Sequence, residues 1–408
     1  MDTFGVHSEA GQLRAVLVCR PGLAQERPAN GADANAVSTD GSVQVERLRQ
    51  EHDELVGKMR DRGVEVLELH DLLTETLAET DARTWLLDRS VTNNDVGIGL
   101  APVFRAWLDA LPLPALADHL IGGVALSDLP VSARTSVMTA ALGAAEFILP
   151  PLPRMMCTRS ASSWIGAGVT LNPLSSPGRQ AETRLHRTVY KFHPSFKNGN
   201  FTIWWGDSDE AFGASTIDGA DLIVVGKGVV LVGMTDRTTR QAVFQIVDAL
   251  FKHYAATRVV CCLMPKSDPV THLDTVLTFC DRDLCVAARK VVDQIRCYSA
   301  WPTETGGTVV REDEGPLLDV VRDALGLDKL RVVDTGGAAQ NTRRKGSDDG
   351  NGVLALSPGV VIGSHRHQTN ARMRDEGIEV IAIRDGELAR ASGGLGRLIC
   401  PISRDPAY

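Results

Sequence analysis

Short apolar runs in pairs dominate the chain. DGADLIVVGKGVVLVG (218–233) and DDGNGVLALSPGVVIG (348–363) each open on an acidic, Gly-bearing segment, run through four apolar residues, turn, and enter a second apolar run. Gly226-Lys227-Gly228 and Ser357-Pro358-Gly359 are the turn residues, types suited to tight reversals. SSWIGAGVTLNP (162–173) and HLDTVLTFCDRDLCVAA (272–288) repeat the pattern, and GQLRAVLVCRPG (11–22) matches part of a fifth copy. Helical spacing follows several copies, as in TTRQAVFQIVDALFKHY (238–254), and then a short strand such as RVVCCLM (258–264). The other helix and strand pairs are QVERLRQEHDELVGKMRDRG with VEVLEL, and TNARMRDEG with IEVIAI. The predicted unit is hairpin, helix, strand, five times over, with site residues at the hairpin starts facing a common axis. Residues 71–149 break the pattern and read as an inserted helical subdomain, between a first unit at 1–70 and the remaining units at 150–408.

Composition narrows the class. The chain has 408 residues, 43% hydrophobic and 23% charged, enough for a large packed core. A formal charge of −8 argues against a nucleic-acid surface, and Arg343, Arg344 and Lys345 read as a solvated loop. No apolar run is long enough for a membrane span and no secretory signal is visible, so the expected location is cytoplasmic. The expected partner is a small molecule, with a homo-oligomer left open. Eight cysteines in a chain this long do not suggest a disulfide framework. The spacing of Cys261, Cys262, Cys280 and Cys285 fits no common zinc pattern, and neither metal nor cofactor is expected.

Candidate chemistry lies in two separated segments. Cys400 stands in GGLGRLICPISRD, after glycines that allow close backbone approach to a ligand. His272 and Asp274 stand in PVTHLDTVLTFCD, and in an extended strand residues two apart share a face. A thiol, an imidazole and a carboxylate are the groups needed to attack a weakly electrophilic carbon. Taken singly, each has a plainer reading: Cys400 as a buried structural thiol, His272 as a hydrogen-bonded core residue, and Asp274 as an orienting partner of His272.

Ordered along the chain, FGVHSEAGQLRAVLVCRPGL, GVTLNPLSSPGRQAE, Asp218-Gly219-Ala220-Asp221, VVLVGMTDRTT, PKSDPVTHLDTVLTFCDRD, LRVVDTGG, DDGNGVLALSPGVV and CPISRD resemble the arginine deiminase family, over nearly the whole length. The resemblance implies a five-bladed, pseudo-symmetric α/β propeller of pentein type with an inserted helical domain. It implies attack by a cysteine on a guanidinium carbon, loss of ammonia and hydrolysis of the covalent intermediate. By motif, Cys400 is then the nucleophile, His272 the acid/base, Asp274 and Asp218 the carboxylates, and Arg179 and Arg237 the holders of the substrate carboxylate. Asp221 reads as structural.

The chain also departs from the family pattern. Asp218 falls where Glu is usual, which draws its carboxylate back by about 1 Å. Phe-Thr-Arg-Asp becomes Cys157-Thr158-Arg159-Ser160, so a guanidinium-gripping carboxylate is absent, and Arg154 replaces an upstream Asn. The segment at 24–43, in place of the usual closing loop, is rich in Gly, Ala, Asn and Asp. Near Cys400, the usual Arg-Cys-Met-Ser reads Gly396-Arg397-Leu398-Ile399. Arg154 and Arg397 are therefore candidates for altered recognition. The expectation is a cysteine hydrolase on a guanidino or related C–N substrate other than free arginine, in specialised metabolism. The alternatives are an amidinotransferase, an amide-forming enzyme, or a non-catalytic ligand-binding homologue.

Overall fold

The computed structural model describes residues 4–27, 44–134, 137–141, 143, 146–206, 209, 212–266, 272–335, 352–365 and 369–408. The solvated loop expected at 343–345 and most of the Gly-, Ala-, Asn- and Asp-rich segment 24–43 lie outside these residues. Of the latter stretch, Leu23–Glu26 is a short helix.

Five separate sheets repeat one plan: an antiparallel pair, then a strand parallel to the second member. Ser162–Ile165, Gly168–Leu171 and Thr202–Trp205 form one. Leu277–Phe279, Leu284–Ala287 and Arg331–Asp334 form another, and Leu354–Ser357, Val360–Ser364 and Glu379–Ile383 a third. The sheet built on Leu222–Gly226, Val229–Met234 and Arg258–Leu263 carries two extra antiparallel strands, Arg296–Pro302 and Thr308–Glu312. Its first reversal needs left-handed backbone at Lys227 (φ 50°) and Gly228 (φ 75°), which explains the Gly-flanked turn.

The fifth sheet joins the two ends of the chain. Leu13–Val18 runs antiparallel to Cys400–Arg404, with Leu17 opposite Cys400, and parallel to Glu65–Glu68. Only half of this hairpin was visible near the N-terminus because its other strand is supplied by the C-terminus.

The inserted region is helical, with Leu69–Thr76, Thr80–Ser90, Ala101–Asp109 and Leu113–Gly122 its main helices, plus the small strand pair Val124–Ala125 and Phe147–Leu149. It has no core of its own. Leu72, Phe104 and Leu116 join Leu17, Val169 and Leu185 in one buried cluster. The four cysteines weighed as a zinc set are split between apolar clusters: Cys261 in one, Cys262 and Cys285 in a second, Cys280 in a third. Among the described residues, no helix is long and apolar enough to cross a membrane.

Candidate functional site

Polar groups converge where the chain enters the sheets. Asp218 and Asp221 lie just before Leu222–Gly226, His272 and Asp274 before Leu277–Phe279, Arg159 and Ser160 before Ser162–Ile165, and Arg397 before Cys400–Arg404. All are buried except Asp274, which is half-buried. These polar groups therefore lie at the starts of hairpins.

His272 sits between two carboxylates. Its Nδ1 is 3.3 Å from Asp221 Oδ2 and its Nε2 is 3.9 Å from Asp218 Oδ2. Asp221 is fixed by donors on both oxygens: the Leu273 amide at 2.9 Å on Oδ1, and the hydroxyls of Thr235 and Thr238 on Oδ2. Asp221 is thus the orienting partner of His272, a role the sequence reading had assigned, as the plainer option, to Asp274. The same-face argument for His272 and Asp274 fails because Leu273–Thr275 is a 3-10 turn, not extended strand. Asp274 is directed elsewhere, towards Arg397.

Asp218 accepts from the Ala220 amide at 3.1 Å and faces Arg179 at 3.4 Å. Burial raises its pKa, but His272, Arg179 and Arg397 outweigh this and hold it well below the usual carboxylate range. Arg179 is itself clamped by Glu182 through two contacts of 2.9 Å. Asp274 shows the reverse balance. Burial pushes its carboxyl up, and Arg397, His272 and Arg159 offset this only in part.

Arg397 points its guanidinium at Asp274, with Nε and one terminal nitrogen each 3.4 Å from Oδ1. The surrounding cavity, lined by Arg159, Asp274, Gly394 and Arg397 among others, is about 30 Å³, room for roughly one water. Arg154, Arg179, Arg237 and Arg397 lie close enough to disfavour one another's charge. Burial lowers the pKa of Arg154 and Arg237, and the neighbouring arginines lower it further. Arg237 is partly exposed and its guanidinium carries no recorded hydrogen bond or ion pair with the described residues. Burial pushes the Cys157 thiol up, and Arg154, Arg179 and Arg397 counter this only in part.

The Cys400 sulfur makes its contacts elsewhere. Its recorded sulfur contacts are Ser162 Oγ and the Ser162 carbonyl, each at 3.5 Å, and the Pro401 carbonyl at 3.8 Å. Ser162 Oγ is in turn 2.9 Å from the Tyr190 hydroxyl. None of the recorded sulfur partners is His272, Asp218 or Asp274. Burial pushes the thiol up to about 11, with Ser162, Arg159 and Tyr190 only partly countering. The sulfur borders a cavity of about 20 Å³ that is distinct from the one at Asp274. Glu9 and Arg159 line both cavities. Arg159 binds Glu9 through contacts of 2.7 and 3.1 Å, and this ion pair walls Cys400 off from Asp274.

The reason is register. Cys400 is the first residue of its strand, whereas the other site residues precede theirs. In the family pattern Arg-Cys-Met-Ser, laid on Gly396-Arg397-Leu398-Ile399, the cysteine falls at Arg397. The repeat held this signal: Arg159, Asp274 and Arg397 each lie three positions before the first strand residue, Ser162, Leu277 and Cys400. Glu9 and Glu182 were missed because their roles depend on arginines distant in sequence or read only as substrate-binding groups.

The family model described as arginine deiminase matches residues 39–404. The chain belongs to the arginine deiminase family. Its fold is similar to that of inosamine-phosphate amidinotransferase from Streptomyces griseus (TM-score 0.56, 12% identity, covering 100% of this chain and 99% of that one). It is similar also to SxtG, an amidinotransferase of the saxitoxin biosynthetic pathway from Microseira wollei (TM-score 0.55, 13% identity, 98% and 97% covered). A mutant DDAH from Pseudomonas aeruginosa complexed with citrulline gives a TM-score of 0.51 at 12% identity, with 95% and 99% covered.

Proposed function

We propose that this member of the family binds a small carboxylate-bearing molecule at the guanidino-enzyme centre without forming a covalent adduct through Cys400. One observation carries the reading: Arg397 sits on Asp274, while the Cys400 sulfur faces Ser162 behind the Glu9–Arg159 pair. The chain's own guanidinium occupies the carboxylate that a substrate guanidinium would need, and Ser160 cannot replace it as a charge. A thiol pushed up to about 11 is scarcely ionised at neutral pH. Arg237, with Arg154 beside it, is suited to a carboxylate through the forked geometry of guanidinium.

The test is twofold. Wild-type protein should form no citrulline from arginine above the level of Cys400→Ala, and titration calorimetry with small amino-acid carboxylates should find a ligand whose affinity falls at least tenfold in Arg237→Ala. Citrulline formation or a mass adduct that depends on Cys400 overturns the reading.

A second reading, a hydrolase or amidinotransferase on an altered C–N substrate, is favoured by the intact His272–Asp221–Asp218 arrangement, which is fit for proton transfer. It requires Cys400 to reach His272 in another state of the chain, and the same adduct measurement separates the two.

A further inference from the structure

A second cluster of reactive side chains lies outside this centre. Cys19 follows the strand Leu13–Val18, Glu68 ends the strand Glu65–Glu68 that runs parallel to it, and His70 is in the first turn of the helix Leu69–Thr76. Cys19 Sγ is 3.8 Å from His70 Nδ1, and His70 Nδ1 is 3.9 Å from Glu68 Oε1. All three ligand atoms lie within 4.8 Å of one another. Zinc takes sulfur at about 2.3 Å and nitrogen or oxygen at about 2.0–2.2 Å, which puts tetrahedral ligand atoms about 3.4–3.6 Å apart. The two pairs that share His70 Nδ1 would have to close by up to about half an ångström, and Cys19 and Glu68 by up to about 1.2 Å.

The surroundings fit a cation. The other His70 nitrogen, Nε2, is 3.7 Å from Asp118 Oδ1, the carboxylate–histidine arrangement that orients metal-bound imidazoles. Arg20 donates its amide to Glu68 Oε1 at 2.7 Å and so fixes the carboxylate, while its guanidinium is turned to Asp71. His52 is buried, and its Nδ1 lies 3.9 Å from Asp53 Oδ1. His70 and Asp118 border a cleft of about 540 Å³.

We infer that Cys19, Glu68 and His70 form a divalent-metal site suited to Zn²⁺, a mixed thiolate, carboxylate and imidazole set of the kind that metal takes. The fourth position is left for water. Binding releases the Cys19 proton, so affinity rises with pH. The metal cross-links two neighbouring strand ends at the root of the helical insertion. The site is independent of the reading given above for the centre.

Metal-free full-length protein titrated with Co²⁺ should develop a near-ultraviolet thiolate-to-cobalt charge-transfer band at one equivalent, and Zn²⁺ should abolish it. Cys19→Ser should lose the band and His70→Gln should bind at least tenfold more weakly, with folding checked by circular dichroism. Saturating Zn²⁺ should raise the melting temperature by roughly 5 °C. If the variants do not fold, the wild-type chain still decides: Zn²⁺ must protect Cys19, identified by peptide mass after alkylation, from modification. Cobalt binding without the band, a band retained in Cys19→Ser, or protection only of another cysteine such as Cys157 overturns the assignment.

Discussion

The two sides of the Glu9–Arg159 ion pair differ sharply. On one side, His272 stands between Asp218 and Asp221, and Arg397 faces Asp274. On the other, Cys400 packs into the apolar cluster that holds Trp164, Ile402 and Tyr190. Arg397 and Cys400 are only three residues apart, yet one borders the polar centre and the other is core. A nucleophile is defined by its position in the strand register as much as by its chemistry. Burial without a cation in contact drives a thiol towards its neutral form, whereas Asp218, with His272 and Arg179 beside it, keeps its charge.

The largest effect should come from breaking the wall itself. Glu9→Gln leaves Arg159 as a buried cation without its carboxylate, and loss of one member of a buried pair costs about 3–5 kcal/mol. Denaturant unfolding should show that loss, and a drop below about 1 kcal/mol would mean that Arg159 finds another partner.

A smaller, pH-dependent effect should mark the polar side. Asp218 has a depressed folded pKa, so its contribution is present above its unfolded pKa near 4 and is lost as pH falls towards the folded value. Stability should decline below about pH 4 in wild type and less steeply in Asp218→Asn. Parallel curves for the two proteins would show that Asp218 is not held by His272, Arg179 and Arg397.

The smallest effect belongs to the apolar side. Cys400→Ala should cost about 1–2 kcal/mol of stability, as for other small core truncations, and leave affinity for a central ligand unchanged. A tenfold change in ligand affinity would connect Cys400 to the centre after all.

Much of the frame was legible in sequence. The paired apolar runs marked the hairpins, the Gly-flanked turn at 226–228 marked a left-handed reversal, and the polar hairpin starts marked the site. Asp218, His272, Asp274, Arg179 and Arg397 do come together. What the sequence hid was direction and pairing. His-Leu-Asp reads as alternation, but a 3-10 turn sends His272 to Asp221 and Asp274 to Arg397. Cys400 has the residue type and the Gly-rich approach of a nucleophile, but as a strand residue opposite Leu17 it faces the core. The grouping of Cys19 with His70 arises from two parallel strand ends, a long-range relation that local spacing does not encode.

Intact-mass spectrometry with a haloacetamidine, a small guanidinium-like alkylating agent, reads directly whether Cys400 is reactive and reachable from the centre. Cys400 in the wild-type chain should take no rapid stoichiometric label. In Arg397→Cys, which frees Asp274 and sets a thiol beside it, a single label should appear at residue 397. Rapid labelling of Cys400 in the wild-type chain, blocked by a ligand of the centre, would contradict the proposed function.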